Sequence, residues 1–161
     1  MRRTTKVCTG LALSFFCVAA NAAVPKKLGF FPEGERLVYS RFVEHFRKNE
    51  VSKAIQQRRL LEKKYPSSVH LDNAFYMTGM LHFQNENFAQ ALSDFGTVTE
   101  RFPRSNKRPS ALFAKAVTYE KLSLPNQAAR VYQMVIDEYP GSQESQRAWM
   151  HLRIRKKAQK N

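Results

Sequence analysis

The residues best suited to chemistry in this sequence are its four histidines, His45, His70, His82 and His151. His45 and His82 stand 37 residues apart. In equivalent places of a repeating structure, two imidazoles could share a metal ion. His70 and His151 have no cysteine or carboxylate at ligand spacing. Serine, histidine and aspartate all occur, but nothing in their spacing orients a nucleophile. No Gly-rich phosphate loop, HExxH or GxSxG motif is present. No catalytic, cofactor or metal site is assigned, and the chain is not expected to be an enzyme.

Charge is the second chemical resource. The chain carries 27 Lys and Arg against 13 Asp and Glu, a formal net charge of +14. A basic run, Arg153, Arg155, Lys156, Lys157 and Lys160, closes the sequence. Such a tail could meet lipid head groups or peptidoglycan through contacts that are individually modest and salt-sensitive. It could equally be a solvated tail with no partner. Nucleic acid is the disfavoured partner, because the N-terminus reads as an export signal. Arg2, Arg3 and Lys6 precede a mostly apolar stretch, 7–20, too short to span a bilayer. Ala20, Asn21 and Ala22 then supply small residues where a signal peptidase needs them, which places cleavage after Ala22 and the mature chain in the periplasm. Both cysteines, Cys8 and Cys17, fall in this signal, so the mature chain is expected to hold no disulfide. A lipoprotein anchored at Cys17 is the rival reading; against it, bulky Phe16 sits where a small residue is usual.

The elements that position these groups follow from a repeat. The pairs Tyr65-Pro66, Phe102-Pro103 and Tyr139-Pro140 recur every 37 residues, and so do Ala54, Ala91 and Ala128. A fixed period of this length marks a stacked array. Apolar residues within each unit follow the helical period. Phe88, Ala91, Leu92, Phe95 and Val98 fall on one face, and Ala128, Val131, Tyr132, Val135 and Ile136 on its counterpart. The spacing predicts helix pairs over 37–48 and 51–64, 71–84 and 88–101, and 109–121 and 125–138. Pro109 and Pro125 suit first helical turns, and Pro66, Pro103 and Pro140 end the second helices. No β alternation is visible. The expected fold is an all-α solenoid of three helix pairs with a C-terminal capping helix over 142–157. An open solenoid end needs cover, and Trp149 and Leu152 are expected to supply it. Residues 23–35, with Phe30 and Phe31, read as an arm that caps the other end or docks a partner.

The repeats resemble tetratricopeptide repeats, with units at 36–69, 70–106 and 107–141 and the cap and tail at 142–161. The family pattern is carried by Phe75, Gly79, His82, Ala91, Phe95, Val98 and Pro103 in the second unit and by Leu112, Ala116, Tyr119, Ala128, Tyr132, Val135 and Pro140 in the third. The first unit is the weakest; Arg58 stands at an aromatic place, which suits a terminal unit facing water. The resemblance puts an aromatic at the places of His45 and His82, so core imidazoles are expected there rather than a metal pair. The 37-residue step and the Tyr-Pro-x-Ser endings resemble the bacterial envelope branch. That branch includes the C-terminal domain of the Tol-Pal coordinator and the repeat lipoprotein of outer-membrane β-barrel assembly.

The resemblance also implies a partner-binding groove along the first helices of the pairs. Its places hold Tyr39, Val43 and Phe46 in the first unit. In the second they hold Asn73, Tyr76, Met80 and Phe83, and in the third Phe113, Val117 and Glu120. Exposed aromatics and methionine there would suit capture of an apolar helix or an extended peptide. The same side chains could instead only pack adjacent first helices together, and both readings stay open on sequence. The expected function is an adaptor holding an envelope protein segment, acting alone or stacked on a second copy. Binding of an anionic surface by the basic tail is the alternative.

Overall fold

The computed structural model describes residues 33–158, and those residues form seven helices and no strand. They are α1 (Glu33–Arg47), α2 (Val51–Lys64), α3 (Leu71–Gln84), α4 (Phe88–Arg101), α5 (Arg108–Lys121), α6 (Pro125–Glu138) and α7 (Gln143–Ala158). The expected helix pairs are all present. The export signal, Cys17, most of the arm with Phe30 and Phe31, and Lys160 lie outside the described residues. One boundary moves: α1 begins at Glu33, so residues 33–35 belong to the helix rather than to an arm.

Each helix packs on the next, and first helices also touch across units, α1 with α3 and α5 with α7. That is the arrangement of an α-solenoid. Its core is the inward face of the periodic pattern. Phe42, Leu61, Leu81, Phe95, Val98, Tyr132 and Val135 are all fully buried. Such side chains contribute about 1.5–3 kcal/mol each when taken out of water. Ala54, Ala91 and Ala128 are also fully buried, since their missing bulk lets paired helices approach.

The recurring turns share one geometry. Within each pair the turn residue is left-handed: Asn49 (φ 54°), Glu86 (φ 60°) and Ser123 (φ 56°). Around it the same two bonds close the first helix, as in Glu86 N–H to Phe83 C=O (3.1 Å) and Asn87 N–H to His82 C=O (2.8 Å). Between pairs, the N–H groups of Tyr65, Phe102 and Tyr139 cap the second helices on Leu61, Val98 and Val135. The carbonyls of those aromatics then accept from Ser68, Ser105 and Ser142 at 2.9–3.1 Å. The serine hydroxyls accept a backbone N–H at the start of the following helix. The aromatic-Pro-x-Ser stretch is therefore the joint that sets each pair on the next.

Two expectations about individual residues are corrected. Trp149 does not cover the end of the stack; it is 51 % exposed, while Ala148 and Ser145 are buried and Leu152 packs on the core beside them. One residue past Ala148 is a third of a helical turn, enough to carry the indole off the packed face. Arg58 does not face water either. It is 8 % exposed. Its guanidinium lies 4.2 Å from the centre of the Phe75 ring, 3.9 Å from Asp94 and 3.4 Å from Glu62. The flat guanidinium takes the place that Phe95 and Tyr132 fill in the later units, and a buried carboxylate answers its charge.

Candidate binding groove

The first helices α3 and α5 and the start of α7 enclose an open cleft of about 220 Å³. Tyr76, Met80 and Phe83 reach it from α3 at helical spacing. Ser110, Phe113, Ala114 and Val117 come from α5, and Glu144 and Arg147 from α7. Five of the expected groove residues, Tyr76, Met80, Phe83, Phe113 and Val117, are thus brought together in one place.

The walls are fixed by packing behind them. The Tyr76 ring tilts against Phe95 at 5.9 Å, and Phe83 meets Phe88 edge-on at 5.6 Å. Phe113 is not an exposed aromatic: it is 5 % exposed and forms the floor, packed on Tyr132 and roofed by the Arg147 guanidinium at 4.2 Å. Ser110 Oγ donates to Glu144 at 2.7 Å, which holds that carboxylate at the rim. Burial, with the Glu144 charge adding to it, pushes the Tyr76 hydroxyl above its ordinary range, so it stays a neutral donor and acceptor. The cleft can accept an apolar side chain and offers a cation and a carboxylate at its edge.

The other expected groove residues go elsewhere. Tyr39 stacks on His70 at 4.1 Å, and Asn73 Nδ2 donates to the Tyr39 hydroxyl at 2.5 Å, so this pair joins α1 to α3. Val43 and Phe46 are half-buried against the core of the first two units. All four take part in packing among the first helices, and Tyr39 and Asn73 also line a separate open depression. Glu120 lies off the cleft, where the His151 imidazole reaches both its carboxylate at 3.2 Å and the Tyr132 hydroxyl at 3.0 Å, tying α5, α6 and α7 together. His45 faces Glu50 at 2.5 Å, and His82 is half-buried 3.8 Å from Asp94.

Of the basic run, Arg153, Lys156 and Lys157 are exposed. Arg155 is not a free tail charge: it is half-buried and donates to Asn126 Oδ1 at 3.0 Å.

Sequence reasoning missed Arg147 and Glu144. A signal for Arg147 was present. The 37-residue step carried one unit further takes Ser110 to Arg147, Ala111 to Ala148 and Leu112 to Trp149. Read in that register, α7 occupies the place of a first helix, and it lines the cleft beside α5.

Fold and cleft together define an all-α repeat scaffold with an open cleft built from its first helices. The sequence model of the tetratricopeptide repeat family matches residues 73–105 and 110–142, which fall on the second and third helix pairs. No curated protein matches the chain significantly. Tetratricopeptide repeats are typically a non-enzymatic scaffold for binding other proteins, and a protein-interaction module is the class of function the match supports.

Proposed function

We propose that this chain is a periplasmic adaptor of the cell envelope that captures a segment of a partner protein in the cleft between α3, α5 and α7. The observation that carries the reading is the cleft itself: five apolar or aromatic wall residues and a Phe113 floor, with Arg147 and Glu144 at the rim. An apolar anchor entering it would be desolvated on several sides, the setting in which interface hot spots arise. The export-like N-terminus supports the periplasmic part of the proposal. The Tol-Pal coordinator and the outer-membrane assembly lipoprotein remain the two branches it is compared with, and no relative favours either, so the proposal is of an adaptor as a class.

The test is site-specific photocrosslinking in cells from Met80 and Val117, with exposed Gln133 on α6 as the control. The expected result is a discrete adduct from the two cleft positions that Phe83→Ser removes while far-UV circular dichroism is unchanged. The same adduct from Gln133, or an adduct that survives Phe83→Ser, overturns the cleft reading.

A further inference from the structure

The 37-residue register exposes an anomaly at the end of the stack. The counterparts of Trp149 are Val38, Phe75 and Leu112, and all three are buried. Among the described residues α7 has no second helix packed on it beyond its contacts with α5 and α6. Trp149, Met150 and Ile154 are 51 %, 53 % and 70 % exposed. They sit at positions i, i+1 and i+5 of one helix, within an arc of about 140°, and Arg153 and Lys157 fall inside that arc. The Arg153 guanidinium lies 4.6 Å from the indole centre. Met150, Arg153, Ile154 and Lys157 line a shallow open depression on this side.

The charges decide what can cover it. Arg153 stands at the place of Phe42, Gly79 and Ala116, each of which is buried. A helix seated here as α2, α4 and α6 are seated would bury the Arg153 guanidinium, which costs several kcal/mol unless a carboxylate answers it. A second copy of this chain would bring Arg153 and Lys157 against themselves, in a chain whose net charge is already +14. A bilayer imposes neither penalty. Tryptophan sits well at the lipid–water boundary, methionine and isoleucine enter the acyl region, and arginine and lysine reach up to the head-group phosphates along their apolar stems. α7 has 16 residues, four of them Arg or Lys in its last six, so it suits lying along a surface rather than crossing it.

We propose that the uncovered face of α7, Trp149, Met150 and Ile154 interleaved with Arg153 and Lys157, docks on a lipid bilayer bearing anionic head groups. This surface is separate from the cleft and does not depend on what the cleft binds. It differs from a tail held by charge alone, because the apolar side chains enter the bilayer.

Trp149 is the only tryptophan in the chain, so its emission reports on this face whatever residues 7–20 do at a bilayer. The experiment mixes the full chain with phosphatidylcholine vesicles, with or without an equal share of phosphatidylglycerol, and with brominated acyl chains in parallel. The expected result is a blue shift and quenching by bromine with the anionic vesicles only. Ile154→Glu should abolish both, and at 70 % exposure it leaves the fold intact. Lys157→Gln should weaken partitioning about fivefold, the share of one basic residue near an anionic surface. Three results would each overturn the proposal: no shift with anionic vesicles; co-sedimentation without bromine quenching, which is attachment through residues 7–20 or the tail and not through this face; or an unchanged shift in Ile154→Glu. A shift produced by an acidic amphipathic peptide and not by vesicles would assign the face to a protein helix and sink the bilayer reading.

Discussion

The buried cluster between the first two units makes the sharpest stability prediction. Arg58 and Asp94 are 8 % and 7 % exposed, with 3.9 Å between Arg58 Nη2 and Asp94 Oδ1. At an effective dielectric near 20, that separation gives about 4 kcal/mol of attraction. Removing each ion from water costs several kcal/mol, so the pair as a whole is close to neutral for stability. The environment is also imperfect, since Asp94 Oδ2 and Arg58 Nε have no hydrogen-bond partner. Burial raises the Asp94 pKa, with Arg58 pulling it back down, and burial lowers that of Arg58. Removing one partner leaves the other buried with weaker company, which for Asp94 is His82 at 3.8 Å. Asp94→Val, the residue found one unit on at Val131, and Arg58→Met should each cost about 3 kcal/mol. Glu62 at 3.4 Å keeps the first loss from being larger. The double variant should lie within about 1 kcal/mol of the parent, because it replaces the pair by apolar groups of similar reach. The measurement is a double-mutant cycle by urea unfolding. It has a pH signature too. A carboxyl whose folded pKa is raised favours the fold when protonated, an effect present below its ordinary value and lost as pH rises through the raised one. Without Arg58 that pKa rises further, so the Arg58→Met penalty should shrink on acidification. The Asp94→Val penalty should not, since Arg58 stays charged. Additive single losses, or an Arg58→Met penalty that grows in acid, would refute the account.

The left-handed turns predict a gain. Glu86→Gly should stabilise by about 0.5–1 kcal/mol in urea unfolding, because it relieves φ 60° at a non-glycine residue. Asn49→Gly should gain less, since asparagine tolerates that region; a loss at Glu86 would contradict the reading of these turns. Gly79→Ala predicts the opposite sign despite glycine's poor helix propensity. A β-carbon there would lie 2.6 Å from Phe95 Cε1, against a fully buried ring. Overpacking of about 1–3 kcal/mol should outweigh the roughly 1 kcal/mol gained in propensity, and a stabilised variant would show that the ring yields.

The fold was open to reading in the sequence because its determinants are local and repeated. Proline positions, the alanine step and a 3.6-residue stripe each recur every 37 residues, so an error in one unit is corrected by the next. The left-handed turns at Asn49, Glu86 and Ser123 are hidden in the sequence, since only the first residue is of a type that announces one. The site was less legible, because it depends on which neighbour each side chain meets. Tyr39 and Tyr76 share a repeat place and an identity, yet one is bound into the α1–α3 joint by His70 and Asn73 while the other walls an open cleft. Arg58 shows the same gap from the other side. A charge at a core place reads as exposure until the partner is known, and the partner, Asp94, lies 36 residues away without a counterpart in either other unit. Trp149 completes the argument. Its apolar character alone suggests a cover for the stack, but apolar character without register does not say which face of α7 it occupies. In register it stands where Phe75 and Leu112 are buried, and among the described residues no further helix packs over it.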